Sequence, residues 1–383
     1  MSRGARHRMR LPTAPRHSRA GNTPAASPGW AERALEEILT PTYWFDPGAA
    51  APSAATIRFS GRRTGIVGRP MARDRFVQDE VVDGIVAGSG PVSVTTRVHG
   101  VNPGTWIVTA EEARGRGLAA KNAKPTRLDA GRPARRPWPW VAPIAPAEQV
   151  HSAVRPLARI PGVIPGAWLV LVTLGIVLAL AVQAALHEPG HGSVLAVSIA
   201  AVASGAIGAK AWYVAVHRAR RYDGWCIQGF IAGAALVGTG ALLLLRLPVG
   251  VVLDATAPGL FLGVALGRPG CFLAGCCSGR PTTSRWGLWS SDQRIGARRI
   301  PTQLLESLLG LVIGGTALLL VVDTKPVLAG SIFVGALAAY TLGRQFILPL
   351  RSELRLHSSM GRSLTVVAAA LVLIGDLLLP RIA

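Results

Sequence analysis

Long apolar segments dominate the chain from about residue 165 onward. Each of seven segments approaches the ~20 apolar residues that a helix needs to cross a bilayer. Small residues recur at helical spacing, as at Gly205–Gly208 and Gly229–Gly233, and this spacing favours close helix packing in lipid. We therefore predict an all-α polytopic membrane domain over 165–383, with spans at about 165–186, 193–216, 225–246, 254–275, 301–322, 327–349 and 364–380.

The first 164 residues follow a different pattern. Residues 1–42 are rich in Arg, Pro, Ala and Ser, which predicts a disordered basic tail. Residues 43–112 alternate apolar and polar positions between Gly- and Pro-containing turns, which predicts a small β-rich soluble domain. That domain is either an immunoglobulin-like sandwich or a simple β meander. Residues 113–164 are rich in Pro and Arg and are predicted to form a linker.

The net charge of the chain indicates which class of partner it binds. The formal net charge is +21, from 41 Lys+Arg against 20 Asp+Glu, which indicates an anionic partner. The apolar segments favour a lipid surface over nucleic acid, so we expect a membrane partner and no nucleic acid. Basic residues are concentrated in the predicted loops of one side, which the positive-inside rule places in the cytoplasm. The basic N-terminus lacks an apolar segment, so no secretory signal is predicted there.

Unusual polar residues of the spans fall at one end of the predicted bundle. Antiparallel spans bring alternate ends to the same face, where Gln228, Arg268, Gln303, Glu306 and Arg344 all lie. Ionisable groups at membrane depth are costly and usually line a cavity or contact a partner. We therefore expect one polar site, with Arg268 functional rather than snorkelling to the interface. Arg344 is either functional or a structural partner of Glu306.

The four cysteines are Cys226, Cys271, Cys276 and Cys277. A closed zinc site normally has CxxC-type spacing and two further ligands, and adjacent cysteines rarely bind one ion together. We therefore expect apolar packing or site lining, with a disulfide as the next alternative, and neither a metal nor a cofactor.

Three stretches around the predicted polar site carry motifs: GRPGCFLAGCCSGRPT at Gly267–Thr282, IPTQLLES at Ile300–Ser307 and YTLGRQFILPLR at Tyr340–Arg351. They resemble, in that order, the patterns GRxGNFxNGExxGxPT, HPTQLYE and YGxxRFxxExxR. These patterns are those of the phosphatidylglycerol–prolipoprotein diacylglyceryl transferase family of bacterial inner membranes. The resemblance covers about 165–383 and implies a multi-pass inner-membrane protein.

The resemblance implies transfer of a diacylglyceryl group from phosphatidylglycerol to the lipobox cysteine of a prolipoprotein. Arg268 and Arg344 match the essential arginines and are the expected catalytic residues, because guanidinium groups suit phosphate. The expected substrate-binding residues are Gln228, Gly270, Cys271, Cys276, Gly279, Thr302, Gln303, Glu306 and Arg351.

Several proton-handling positions depart from the family pattern. Gln228 stands where the family has a His, Cys276 where it has a Glu, and Cys271 where it has an Asn. Ile300 and Leu348 replace a further His and Glu. These departures keep open a second hypothesis, a non-catalytic phospholipid-binding membrane protein whose β domain recruits a partner.

The resemblance and the charge pattern disagree on sidedness. The family acts at the outer face of the membrane. The arginines of the predicted loops instead place the polar site on the cytoplasmic side. A transporter is a weaker alternative, since no inverted repeat or pair of broken helices is evident.

Overall fold

The computed structural model describes residues 36–48, 54–113, 148–186, 192–216, 224–324, 328–352 and 359–382. Residues 1–35 of the predicted tail and 114–147 of the predicted linker lie outside these ranges.

Seven helices follow the seven predicted spans. The first six are long and apolar enough to cross a membrane, and the seventh contains a shorter apolar stretch, Ser363–Leu378. The predicted all-α membrane domain is therefore confirmed. The helices are α1 (Ala167–Ala185), α2 (Gly192–Val216), α3 (Ile227–Leu244), α4 (Val249–Ala274), α5 (Thr302–Asp323), α6 (Ser331–Ile347) and α7 (Ser359–Ile382).

Helix α4 is the centre of the helical domain and packs against α1, α5 and α6. Glycines allow the close approach to α1, because a Cβ at Gly263 would lie 2.7 Å from the carbonyl oxygen of Gly175. Asp254 of α4 also fixes the start of α6. Its carboxylate accepts hydrogen bonds from the backbone N–H groups of Gly330 at 2.6 Å and Phe333 at 3.0 Å. This attachment orients the helix that carries Arg344 at its other end.

Helices α2 and α3 form a separate hairpin, which packs on itself and touches the other helices only lightly. The predicted small-residue contact is confirmed here. A Cβ at Gly233 would lie 2.5 Å from the carbonyl oxygen of Ser204, so the two backbones meet directly.

Strands of the N-terminal region, together with two strands from the connection between α4 and α5, form three sheets. The strands are β1 (Glu37–Leu39), β2 (Thr42–Phe45), β3 (Ala54–Arg63), β4 (Arg75–Asp83), β5 (Val92–Thr95), β6 (Val98–His99), β7 (Thr105–Glu112), β8 (Glu148–His151), β9 (Ala153–Val154), β10 (Leu288–Ser291) and β11 (Ile295–Arg299). The sheet orders are β6-β1-β9, β10-β11-β5-β2 and β4-β3-β7-β8, all with antiparallel pairing. Strand β3 pairs with both β4 and β7, so this region is not a simple meander.

Two sequence-based boundaries of the β region need correction. Strand β1 lies inside the segment 1–42 predicted as a tail, and β8 and β9 lie inside the predicted linker 113–164. Strand β8 completes the sheet beside β7, and β9 pairs with β1, so distant segments close one β region. Its core is formed by buried apolar side chains that include Phe59 and Trp106.

The β region and the membrane domain share a sheet. Strands β10 and β11 belong to the connection between α4 and α5, and β11 pairs with β5 of the N-terminal region. Trp289 of β10 stacks on Trp44 with ring centroids 5.3 Å apart and donates to the carbonyl of Pro91 at 3.0 Å. The N-terminal region therefore holds the α4–α5 connection, which approaches the predicted polar site.

Candidate active site

The C-terminal end of α4 forms one wall of the site. Gly275 ends the helix in the left-handed region, with φ 70°, and the N–H of Cys276 donates back to the carbonyl of Cys271 at 3.0 Å. This is a Schellman motif, in which a left-handed glycine reverses the chain over the last turn of the helix. The reversal leaves Cys277, at the start of the α4–α5 connection, close enough to Arg268 for their charges to interact.

Three arginines converge on a single buried carboxylate, and we call Arg268, Arg344, Arg351 and Glu306 the arginine centre. Arg268 Nη1 lies 2.8 Å from Glu306 Oε2. Arg344 Nε and Arg351 Nη1 lie 3.7 Å and 4.0 Å from Glu306 Oε1. The Glu306 side chain is 2% exposed and that of Arg351 is 4% exposed, while Arg268 and Arg344 are more accessible. Residues from α4, α5, α6 and the segment after α6 thus form one cluster.

The arginine centre has more positive charge than its own carboxylate balances. One Glu306 faces three guanidinium groups, which leaves a formal charge of plus two. Within the described part of the chain, Arg344 Nε, Arg351 Nε and Arg351 Nη1 are buried without a hydrogen-bond partner. Among the described residues, neither oxygen of Glu306 accepts a hydrogen bond, so even the 2.8 Å contact with Arg268 is an ion pair with poorly directed N–H groups. Buried donors of this kind normally have a partner, so an anion bound here would satisfy them.

The predicted residues Thr302 and Gln303 lie at the start of α5 and are buried. Thr302 Oγ1 donates to the carbonyl of Cys277 at 3.2 Å, and Gln303 Nε2 donates to the carbonyl of Cys276 at 2.8 Å. Both side chains therefore hold the connection that follows α4.

The two predicted glycines occupy crowded positions. A Cβ at Gly270 would lie 3.1 Å from Leu171 Cβ of α1, and one at Gly279 would collide with the carbonyl oxygen of Ile300. Gly279 also forms a β-bridge with Arg351. Gly270 thus allows α1 to pack on α4, and Gly279 allows the connection to pass beside Arg351.

The predicted residues Cys271 and Cys276 meet a third cysteine, Cys277, which the sequence analysis did not assign to the site. The three Sγ atoms lie within 4.8 Å of one another, and none of these three cysteines is in a disulfide. Hydrogen bonds from the thiols of Cys271 and Cys276, followed by the charges of Arg351 and Arg268, lower the pKa of the Cys277 thiol. The backbone of Cys277 has φ 57°, a conformation that the sequence does not reveal.

Gln228 lies at the start of α3, outside the arginine centre. Its side chain is exposed and its Oε1 accepts a hydrogen bond from Cys226 Sγ at 2.9 Å. Across the described ranges, no hydrogen bond or ion pair joins Gln228 to the arginines. The structure therefore gathers the other predicted site residues around the α4–α5 connection and leaves Gln228 on the α2–α3 hairpin.

Arg299 is a second residue that the sequence analysis did not assign to the site. Its guanidinium is buried, lies 2.8 Å from Asp292 Oδ2 and donates to the carbonyl of Gly279 at 3.2 Å. Burial lowers the pKa of Arg299, and Asp292 opposes that shift. Arg299 therefore braces the connection beside Arg351.

Comparison with known proteins agrees with this geometry. Residues 163–378 match the family model described as prolipoprotein diacylglyceryl transferase. A phosphatidylglycerol–prolipoprotein diacylglyceryl transferase 2 of Clostridium perfringens is 34% identical over 164 residues, which cover 42% of this chain and 62% of that protein. Transferases of Frankia alni and Clostridium tetani are 32% identical over 232 residues and 26% identical over 223 residues. Each match covers 55% of this chain, and they cover 60% and 89% of those two proteins.

The chain thus spans about three fifths of the length of the first two relatives. The match extends from just before α1 into α7 and leaves the N-terminal β region outside it. Together with six helices that can cross a membrane, it identifies a multi-pass protein of the bacterial inner membrane. The chain belongs to the prolipoprotein diacylglyceryl transferase family.

Proposed function

We propose that this protein transfers a diacylglyceryl group from phosphatidylglycerol to the cysteine thiol of a prolipoprotein lipobox. The acceptor sulfur attacks the glyceryl carbon that carries the phosphate ester. A C–S bond forms, the C–O bond to phosphate breaks, glycerol phosphate leaves, and the thiol proton is released.

The observation that carries this proposal is the unbalanced charge of the arginine centre. A phosphodiester carries one negative charge, and the leaving glycerol phosphate gains another as the C–O bond breaks. Arg268, Arg344 and Arg351 present a formal charge of plus two after Glu306 is counted. Guanidinium groups bind phosphate oxygens in a bidentate manner, so these arginines suit both the bound lipid and the transition state.

The N–H groups that lack an acceptor also indicate where phosphate oxygens would bind. Arg344 Nε and both buried nitrogens of Arg351 lack partners among the described residues, and phosphate oxygens would accept from them. Donors fixed where negative charge develops typically contribute about 10²–10³ in rate each. We assign Arg268 and Arg344 to the phosphate because they are the more accessible arginines of the centre.

The remaining residues act mainly by holding the arginines. Glu306 is the buried counter-ion that keeps three guanidinium groups at one point. Thr302 and Gln303 already donate to the backbone of the α4–α5 connection, so we infer that they shape the site rather than contact the lipid. Gly270 and Gly279 serve the same purpose by permitting close packing.

The proton of the acceptor thiol needs a different route from the one implied by the family pattern. A thiolate, and not a thiol, is the nucleophile. Gln228 cannot accept a proton, and its side chain contacts Cys226 rather than the arginine centre. The group that activates the thiol must therefore lie elsewhere.

A complementation experiment tests the transferase function. The full chain is expressed in cells depleted of their own transferase that carry a reporter prolipoprotein. We expect the reporter to gain a diacylglyceryl thioether, detected by mass spectrometry. The relatives are all named as transferases, which favours turnover over lipid binding alone. A membrane-inserted chain that binds phosphatidylglycerol vesicles but yields no thioether would overturn the proposal in favour of the non-catalytic alternative.

Sidedness is a second test of the same function. Prolipoproteins reach the outer face of the membrane in which the transferase lies, so a working site must face away from the cytoplasm. Seven antiparallel spans then place the C-terminus on the opposite side, in the cytoplasm. A reporter enzyme that works only in the cytoplasm should be active when it is fused after Ala383, and a reporter that works only outside the cytoplasm should be inactive there. The reverse result would agree with the loop arginines and contradict an outward-facing site.

A further inference from the structure

Cys271, Cys276 and Cys277 form a compact group of thiols beside the arginine centre. Their Sγ atoms lie within 4.8 Å of one another, and no histidine or carboxylate of the described ranges joins the group. We propose that these three cysteines bind a zinc ion and leave its fourth position open for the acceptor thiol. The role assigned to the ion rests on the transferase function proposed above.

The backbone explains how adjacent cysteines can share one ion. Gly275 in the left-handed region turns Cys276 back over Cys271, whose carbonyl it contacts through its N–H. Cys277 then adopts φ 57°, a strained conformation for a residue with a Cβ. This second reversal brings two neighbouring thiols to the same side. In most zinc sites, CxxC spacing brings two thiols to the same ion. Cys276 and Cys277 are adjacent instead, so the spacing in the sequence alone argued against a metal.

The strained residue is held in place by the surrounding structure. Thr302 donates to the carbonyl of Cys277, and Gln303 donates to the carbonyl of Cys276. Backbone strain that is maintained by such contacts is typical of ligand sites. Cys271 is buried, whereas Cys276 and Cys277 are partly accessible, so an ion and an incoming thiol can reach the group.

The ligand set and the distances suit zinc. Zinc binds thiolates at about 2.3 Å in tetrahedral geometry, which separates two sulfurs by about 3.8 Å. Small side-chain rotations would therefore close the group around one ion. Three protein ligands with an open fourth position are typical of catalytic rather than structural zinc sites.

The charges of the site balance when the ion is included. Three thiolates and one zinc ion have a formal charge of minus one, which the neighbouring Arg268 and Arg351 offset. The surplus of the arginine centre then falls from plus two to plus one. One phosphodiester neutralises the remainder before the acceptor thiol binds.

Zinc at this position would supply the missing activation of the thiol. A thiol that coordinates the ion loses its proton outright, so the acceptor would be a thiolate at neutral pH. Its sulfur then attacks the glyceryl carbon while the arginines receive the phosphate. The proton passes to solvent when the thiol binds.

Metal content is the direct test, and it is independent of activity. The full chain is expressed in zinc-supplemented medium, purified in detergent, dialysed and analysed by elemental mass spectrometry. We expect close to one zinc ion per chain, with loss of most of it in C271S, C276S and C277S. The matched control is C226S, which changes the cysteine next to Gln228 and should retain the ion. Absence of zinc from the wild-type chain, or equal zinc in all four variants, would overturn the site.

X-ray absorption on the wild-type chain keeps the test decisive if a variant does not fold. We expect three sulfurs at about 2.3 Å and one lighter atom at about 2.0 Å. Addition of a peptide with one free cysteine should convert the spectrum to four sulfurs, and its serine analogue should not. A spectrum without sulfur ligands, or a disulfide among the three cysteines in the intact mass, would contradict the proposal. Lipidation by zinc-free protein would refute the zinc site alone, whereas bound zinc without lipidation would refute the transferase function alone.

Discussion

The arginine centre and the α2–α3 hairpin differ in how firmly the fold holds them. Helix α4 is enclosed by α1, α5 and α6, and its Arg268 meets Glu306, Arg344 and Arg351 from three other segments. The hairpin packs on itself, touches the other helices lightly, and leaves Gln228 exposed. The arginines proposed to bind phosphate thus lie in the packed part of the domain. The position at which the resemblance implies a proton-handling histidine lies on the loosely attached hairpin and is Gln228 in this chain.

Loss of an arginine of the centre should have the largest effect. R268A and R344A each remove a charge that would face the phosphate, so we expect lipidation of a reporter to fall by about 10²–10³. Product formation by purified chain, with labelled phosphatidylglycerol and a cysteine peptide, measures the effect. R285A is the control, because Arg285 is exposed and its guanidinium lies over the Trp286 ring. Unchanged labelling in both arginine variants would remove the basis of the assignment.

Removal of the shared carboxylate should come next. E306Q leaves three guanidinium groups without a counter-ion at a position that is 2% exposed. Breaking a buried ion pair in this way costs about 3–5 kcal/mol. We expect a lower unfolding temperature in detergent and weaker activity. D323N changes the exposed acidic residue at the other end of the same helix and should leave the unfolding temperature unchanged. Equal stability of the two variants would mean that Glu306 does not hold the centre together.

A pair of glycine variants compares the two regions directly. A Cβ at Gly263 would lie 2.7 Å from the Gly175 carbonyl in the α1–α4 contact, and one at Gly233 would lie 2.5 Å from the Ser204 carbonyl in the α2–α3 contact. Overpacking costs about 1–3 kcal/mol at either position. G263V should displace α4 and reduce affinity for phosphatidylglycerol vesicles several-fold, whereas G233V should lower stability with little change in lipid affinity. The same loss of affinity in both variants would show that the hairpin is part of the lipid site.

Much of this contrast was visible in the sequence. Apolar length predicted the helices, and their antiparallel order placed Arg268, Glu306 and Arg344 at one end, as observed. Arg351 followed only from the resemblance, because it lies beyond the last turn of α6. These predictions succeeded because hydropathy and helix direction are local properties of the chain.

The remaining features depend on contacts between distant segments. The pairing of β11 with β5 joins residues that are about 200 positions apart, and no local sequence pattern predicts it. The convergence of Cys276 and Cys277 depends on left-handed backbone at Gly275 and Cys277. Gln228 was expected beside the arginines because membrane depth was the only coordinate available. Depth does not specify which helices are neighbours, and α3 packs mainly on α2.

Substitution of Gln228 should have the smallest effect and is the sharpest probe of the contrast. Its Oε1 accepts from Cys226 Sγ, and its side chain is exposed, so Q228A removes one accessible hydrogen bond. We expect a loss of lipidation of about tenfold at most, since a single accessible hydrogen bond contributes about 0.5–1.5 kcal/mol. A general base would instead contribute about 10²–10⁴ in rate. Q228H should give no gain of that size, because the imidazole would stand on the hairpin, away from the arginines. A hundredfold loss in Q228A, or a hundredfold gain in Q228H, would show that the hairpin closes over the arginine centre during turnover and that thiol activation takes place there.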